Sequence, residues 1–206
     1  MVRWVFAALL VSSTAHADAG WADVEPIAGI DGMTVAGETT HVVAKLGGQW
    51  FVTTEPLGLF DTLAVTRAFD ASLLAKQPAI ALVVESRDGG SEMGSAIDQL
   101  VILCAANERL RTCGEIEIGH LEWALDGEHR RDYPGGATSL RKRPHVEVVL
   151  EPTLVAPDML RLTMTRNSTV ALPDGGWPRE TLEAMDTLRK RAGLYRFTAG
   201  ALVRVN

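Results

Sequence analysis

Cysteine is nearly absent: the 206-residue chain holds only Cys104 and Cys113. Two thiols are too few for a cysteine-built metal centre, and without a Cys-x-x-Cys spacing they do not make a thioredoxin-like redox pair. The common catalytic signatures are missing as well. There is no G-x-S-x-G elbow, no P-loop, no H-E-x-x-H and no G-x-G-x-x-G, so no motif names a reaction, although scattered residues can still assemble a site. Long apolar runs are lacking. The first one, residues 4–11, is far shorter than the roughly 20 residues a membrane helix needs, and no later stretch is longer and as apolar. A basic excess is absent too. The formal net charge is −6, which favours solubility and argues against nucleic acid as the main partner. Internal repeats and low-complexity tracts are not found.

What is present starts with an export signature. Arg3 precedes the short apolar core, and Ala15-His16-Ala17 places small residues at the −3 and −1 positions of a signal-peptidase site. The expectation is a cleaved signal at residues 1–17, one globular domain over residues 18–206, and a secreted or periplasmic location. No cysteine follows the apolar core, so a lipoprotein anchor is not expected.

Export bears on the cysteines, because oxidising compartments keep such pairs bonded. Ile97, Leu100, Val101, Cys104 and Ala105 follow the spacing of an amphipathic helix. A helix through both cysteines would hold them about 13 Å apart along its axis, whereas a disulfide needs Cα atoms within about 7 Å. A hairpin turning at Glu108-Arg109 sets Cys104 directly opposite Cys113 and permits the bond. Closing so short a loop contributes roughly 2–3 kcal/mol in the chain-entropy model. If the pair is unbonded, residues 99–106 revert to the helical reading.

The rest of the chain reads mainly as strands. Residues 18–40 form an extended lead-in with a turn at Asp31-Gly32. Gly47-Gly48 closes a hairpin in which Leu46 opposes Gln49 and Ala44 opposes Phe51. A strand over 63–69 is followed by a helical turn at 71–76, capped by Asp70 and ended by Pro78. Residues 79–85 are apolar nearly throughout, as in a strand buried on both faces, and Asp88-Gly89-Gly90 is a turn. Beyond Cys113 the apolar residues change phase. Ile116 and Ile118 are even-numbered, while Leu121, Trp123 and Leu125 are odd, so a bulge is expected near Gly119-His120.

Residues 145–151 and 159–165 alternate as a hairpin across a loop at 152–158, and 169–172 suggest a short strand. Residues 178–192 carry helix-end chemistry at both ends and one apolar stripe, Leu182, Met185, Leu188 and Ala192. Residues 195–205 close the chain as a strand bent at Gly200. The fold expected is mainly β: an antiparallel sandwich or partly closed barrel of about nine or ten short strands, with one C-terminal amphipathic helix.

The richest polar cluster is His120, Glu122, His129, Asp132 and His145. His120 and Glu122 two residues apart on a strand share a face, which suits a divalent metal or an acid–base pair; a solvated polar edge has the same composition. Arg130, Arg131, Arg141, Lys142 and Arg143, with Tyr133 and Pro134, lie in a long segment without apolar periodicity, a candidate for anion or partner binding. Trp50 or Phe51 can present an aromatic surface at a hairpin, Trp177 reads as a packing staple, and Asn167-Ser168-Thr169 fits a glycosylation sequon. These features point first to an exported, non-enzymatic β-rich domain that binds a protein or cell-surface partner, or serves a structural role in the envelope, with no cofactor. The alternative is a hydrolase or metal-dependent enzyme built on His120, Glu122 and His145.

Overall fold

The computed structural model describes residues 21–23, 32–36, 42–46, 48–53, 63–89, 93–124, 144–172 and 175–205. Among them are twelve strands joined in one sheet that does not close, and two helices. The strands are β1 (Trp21–Asp23), β2 (Gly32–Ala36), β3 (Val42–Leu46), β4 (Gln49–Thr53), β5 (Leu63–Asp70) and β6 (Ala79–Gly89). They continue as β7 (Met93–Ala106), β8 (Arg109–Ala124), β9 (His145–Ala156), β10 (Met159–Val170), β11 (Gly193–Thr198) and β12 (Ala201–Val205). Helix α1 spans Ser72–Ala75 and α2 spans Arg179–Lys190. All neighbouring strands run antiparallel except β4 and β8. The mainly antiparallel β class is as expected, but there are more strands than expected and several are long.

Strand β8 is the junction. It pairs with β4 at its start, with β7 along its length and with β9 at its end. Two bulges reset its phase. Leu103 faces Thr112 while Ile102 faces Gly114, leaving Cys113 as the extra residue; Gln99 faces Glu117 while Asp98 faces Gly119, leaving Ile118 extra. The second bulge is the phase change read at Gly119-His120.

The disulfide joins Cys104 and Cys113 with Cα atoms 5.8 Å apart, and residues 99–106 are strand. The turn lies one residue earlier than expected, at Asn107-Glu108, where both residues have positive φ (51° and 64°) as a two-residue type I′ hairpin requires. Cys104 therefore faces Arg111, and the bulge at Cys113 brings the second sulfur back within reach.

Residues 79–84 of β6 are buried on both faces, as their apolar run implies. Ala79, Ala81 and Val83 join one core with Leu100, Ile102, Val148, Leu150, Leu162, Met185 and Leu188. Ile80, Leu82 and Val84 join another with Val42, Ala44, Phe51, Val101 and Leu110. The hairpin of β3 and β4 has the expected register, Leu46 with Gln49 and Ala44 with Phe51; Gly47 lies outside the described residues. Helix α1 is shorter than expected and its N-cap is Ala71, which makes no side-chain cap hydrogen bond; Asp70, expected as the cap, lies one residue earlier, where its Oδ1 accepts the Ser72 N–H at 2.8 Å.

Other expectations are corrected. Gly32 begins β2, which pairs with β1, rather than forming a turn; Asp31 lies outside the described residues. Gly89 is still in β6, opposite Gly94. Strand β9 runs through Pro152, which faces Leu162, and the turn is only Pro157-Asp158; a proline removes just its own donor and does not by itself end a strand. Strand β10 continues to Val170, and Leu172 bridges to Gly175. The final segment is a hairpin, because Ala199 and Gly200 both have positive φ (50° and 79°). On α2, Leu182 is exposed and Thr181 is buried in its place, giving a stripe of Thr181, Met185 and Leu188.

Candidate functional site

The registers of five strands combine into cross-strand rows. One row reads Glu85, Asp98, Gly119, Val149, Arg166; the next reads Arg87, Ala96, Leu121, Glu147, Ser168. Directly paired residues of a ladder share a face, so these side chains belong to one side of the sheet. On β6 and β7 that side continues the core face of Val83 and Leu100, but here the apolar residues give way to charge. The two rows line a groove of about 330 Å³, which Thr66, His120 and His145 also border.

Within the groove, Arg87 Nε lies 2.6 Å from Glu85 Oε1 and Arg166 Nη1 lies 2.9 Å from Glu147 Oε1. Asp98 has no hydrogen bond or ion pair among the described residues. Its side chain lies over the bare Cα of Gly119, where a Cβ would come within 2.5 Å of Asp98 Oδ2. Any larger residue there would push the carboxyl aside. Burial first, and then the charges of Glu85 and Glu147, push the Asp98 carboxyl up to about 6, against the opposing pull of Arg166 and Arg87.

The cluster read from sequence is split. His120 Nδ1 is 3.4 Å from Glu117 Oε1 and His120 Nε2 is 3.2 Å from Glu122 Oε1. Helix α2 completes this arrangement: the Thr181 hydroxyl donates to Glu122 Oε2 at 2.9 Å, and Arg191 Nη1 donates to Glu117 Oε2 at 2.9 Å and to its carbonyl oxygen at 3.0 Å. The hydrogen bond that His120 donates to the Glu117 carboxylate raises the imidazole above its ordinary range despite burial, and the same bond lowers Glu117.

His145 is not part of it. Val146 and Val148 face Glu122 and His120, whereas His145 faces Trp123, on the alternate side of β9. Its Nε2 lies 2.9 Å from Ser168 Oγ. No group of three metal-ligating side chains occurs among the described residues.

His129, Asp132, Tyr133, Pro134 and the five basic residues Arg130, Arg131, Arg141, Lys142 and Arg143 lie outside the described residues, as does the signal expected at residues 1–17. Phe51 is buried in the second core, and Trp50 is half-buried with the Lys45 ammonium 6.0 Å from its ring centroid. Trp177 is buried and its indole N–H donates to Val170 O at 3.0 Å, the staple expected of it. Asn167 Oδ1 accepts from Arg189 Nε at 3.0 Å. No described helix is long and apolar enough to cross a membrane.

Glu85, Arg87, Asp98, Glu147 and Arg166 were not among the sequence candidates. A signal for two strands was present: the alternation that reads Ala79, Ala81, Val83 continues with Glu85 and Arg87, and Ile102, Leu100 continues with Asp98.

No protein-family model matches the chain, no curated protein matches its sequence, and no solved structure matches its fold.

Proposed function

We propose that this chain is an exported, non-enzymatic β-rich domain that binds a protein or surface partner through the groove across β6–β10. The observation that carries this reading is the change of chemistry along one face. On β6 and β7, apolar residues that fill a core give way without a change of strand to Glu85, Arg87 and Asp98, and Glu147 and Arg166 of β9 and β10 line the same open groove. Charged residues placed where the fold would accept apolar ones cost stability, and such positions cluster at functional sites. The disulfide suits an oxidising compartment, which supports export.

The non-enzymatic reading rests on how His120 and Glu122 are occupied. Both ring nitrogens of His120 face carboxylates, and the two Glu122 oxygens are taken by His120 and Thr181. The pair is thereby engaged in fastening α2 to β8, with His120 at the border of the groove.

A photo-crosslinking amino acid at Thr66, which borders the groove and is exposed, tests the site in the producing cells. The control position is Glu183, exposed on α2. A discrete adduct from position 66 and none from 183 is expected. Equal labelling from both positions, or none from position 66, would count against the groove as the partner site.

A further inference from the structure

The groove holds three carboxylates, Glu85, Asp98 and Glu147, and two guanidinium groups, Arg87 and Arg166. Each arginine is paired with one glutamate, which leaves Asp98 in excess and without a described partner. Between the two ion pairs the floor is apolar, made by Ala96, Leu121 and Val149. Resting on the groove reading above, we infer that the groove takes a single ammonium or guanidinium group on an aliphatic stem. The head pairs with Asp98 and the stem lies over Ala96, Leu121 and Val149.

Three considerations select this ligand class. First, a partly buried carboxylate recovers its lost solvation best from a cation or a charged donor, and neither Arg87 nor Arg166 forms a contact pair with Asp98 among the described residues. An anionic ligand would meet three carboxylates, with both guanidiniums already engaged. Second, a chelated divalent ion lacks its ligands, since no three suitable side chains converge among the described residues. Third, lysine and arginine side chains lay their methylenes on apolar surface while the head seeks charge, and the groove offers both in adjacent rows. Its volume, about 330 Å³, holds on the order of ten waters. That is room for a side chain and not for a folded element. The high Asp98 carboxyl, about 6, is consistent: cation binding would release a proton at slightly acid pH and strengthen as the pH rises.

The test is a titration of the full chain, labelled with ¹⁵N, with acetylated and amidated pentapeptides Gly-Gly-Xaa-Gly-Gly in which Xaa is Lys, Arg, Gln or Glu, and with 1,5-diaminopentane. The Lys and Arg peptides are expected to shift the amides of Asp98, Gly119 and Glu147. Asp98→Asn should weaken them about tenfold or more, and so should lowering the pH from 7.5 to 5. The diamine arm separates sources: shifts with the peptides alone assign the cation to a protein side chain, and equal shifts with the diamine assign it to free amines as well. Groove shifts with Gln or Glu at least as large as with Lys and Arg would overturn the inference and leave the groove reading standing. The same holds for cation affinity unchanged by Asp98→Asn. If no probe shifts the groove amides the inference fails; the Thr66 crosslink then decides the groove reading separately.

Discussion

At neutral pH the Asp98 carboxylate sits across from Glu85 and near Glu147, over the Cα of Gly119, with nothing bonded to its oxygens among the described residues. Its proton is held more tightly in the folded chain, where it is lost at about 6, than in the unfolded one, where the ordinary value is 3.8. Stability from this group is therefore greatest below 3.8. It falls as pH rises through the window from 3.8 to about 6, and stays low above it. The ceiling on this penalty is on the order of 3 kcal/mol, and partial exposure reduces it. Asp98→Asn keeps the shape and removes the charge. It is expected to raise the urea midpoint at pH 7.5, by about 1–3 kcal/mol in unfolding free energy, and to change little at pH 4. A destabilised variant at pH 7.5 would mean that the carboxylate has a favourable partner. A stabilising change that weakens binding is what a site residue does and a packing residue does not.

The hairpin of β7 and β8 and the helix α2 hold the groove's frame. The disulfide closes a loop of nine positions near the hairpin tip, worth roughly 2–3 kcal/mol. Confirmed reduction should lower the melting temperature by about 4–12 °C for a chain of this size; an unchanged melting curve would show that the bond adds no stability. Leu188 is 1% exposed and Leu182 is 39% exposed on the same helix. Leu188→Ala should cost about 2–5 kcal/mol, and Leu182→Ala no more than about 0.5 kcal/mol. Comparable losses would contradict the docking of α2 described above.

The polar fastening of α2 is pH-dependent in two directions. Because the His120 imidazole is raised, its contribution is complete below the ordinary histidine value of 6.5 and is lost as pH rises through the higher folded value. Because Glu117 is lowered from 4.5, its contribution is present above 4.5 and is lost as pH falls through the lower folded value. His120→Gln should flatten the decline in stability above pH 6.5, read by chemical denaturation across pH 6–9. A decline of unchanged steepness would assign it to other groups.

Across the whole molecule, local pattern reached some features and not others. The β3–β4 register, the doubly buried first half of β6 and the phase change after Ile116 were legible because each depends on alternation within one or two strands. The turn at Asn107-Glu108 was missed by one residue because the alignment placed the cysteines opposite each other, whereas a bulge at Cys113 supplies the offset. Pro152 suggested a loop, yet β9 carries it at the loss of one donor. The groove was the hardest to see. Glu85, Asp98, Glu147 and Arg166 meet only through four successive registers, and that between β8 and β9 joins strands separated by residues 125–144. His120 and Glu122 were correctly placed together, since a two-residue spacing on a strand decides it. His145 was misgrouped with them, since the β8–β9 register decides its side.

Hydrogen exchange of the full chain, alone and with the partner recovered by the Thr66 crosslink, tests the binding role of this face most directly. Slower exchange is expected in peptides covering Glu85–Arg87, Asp98 and Glu147–Val149, with α2 and the β11–β12 hairpin unchanged. Protection of α2 or of β11–β12, with those groove peptides exchanging as in the free chain, would contradict it.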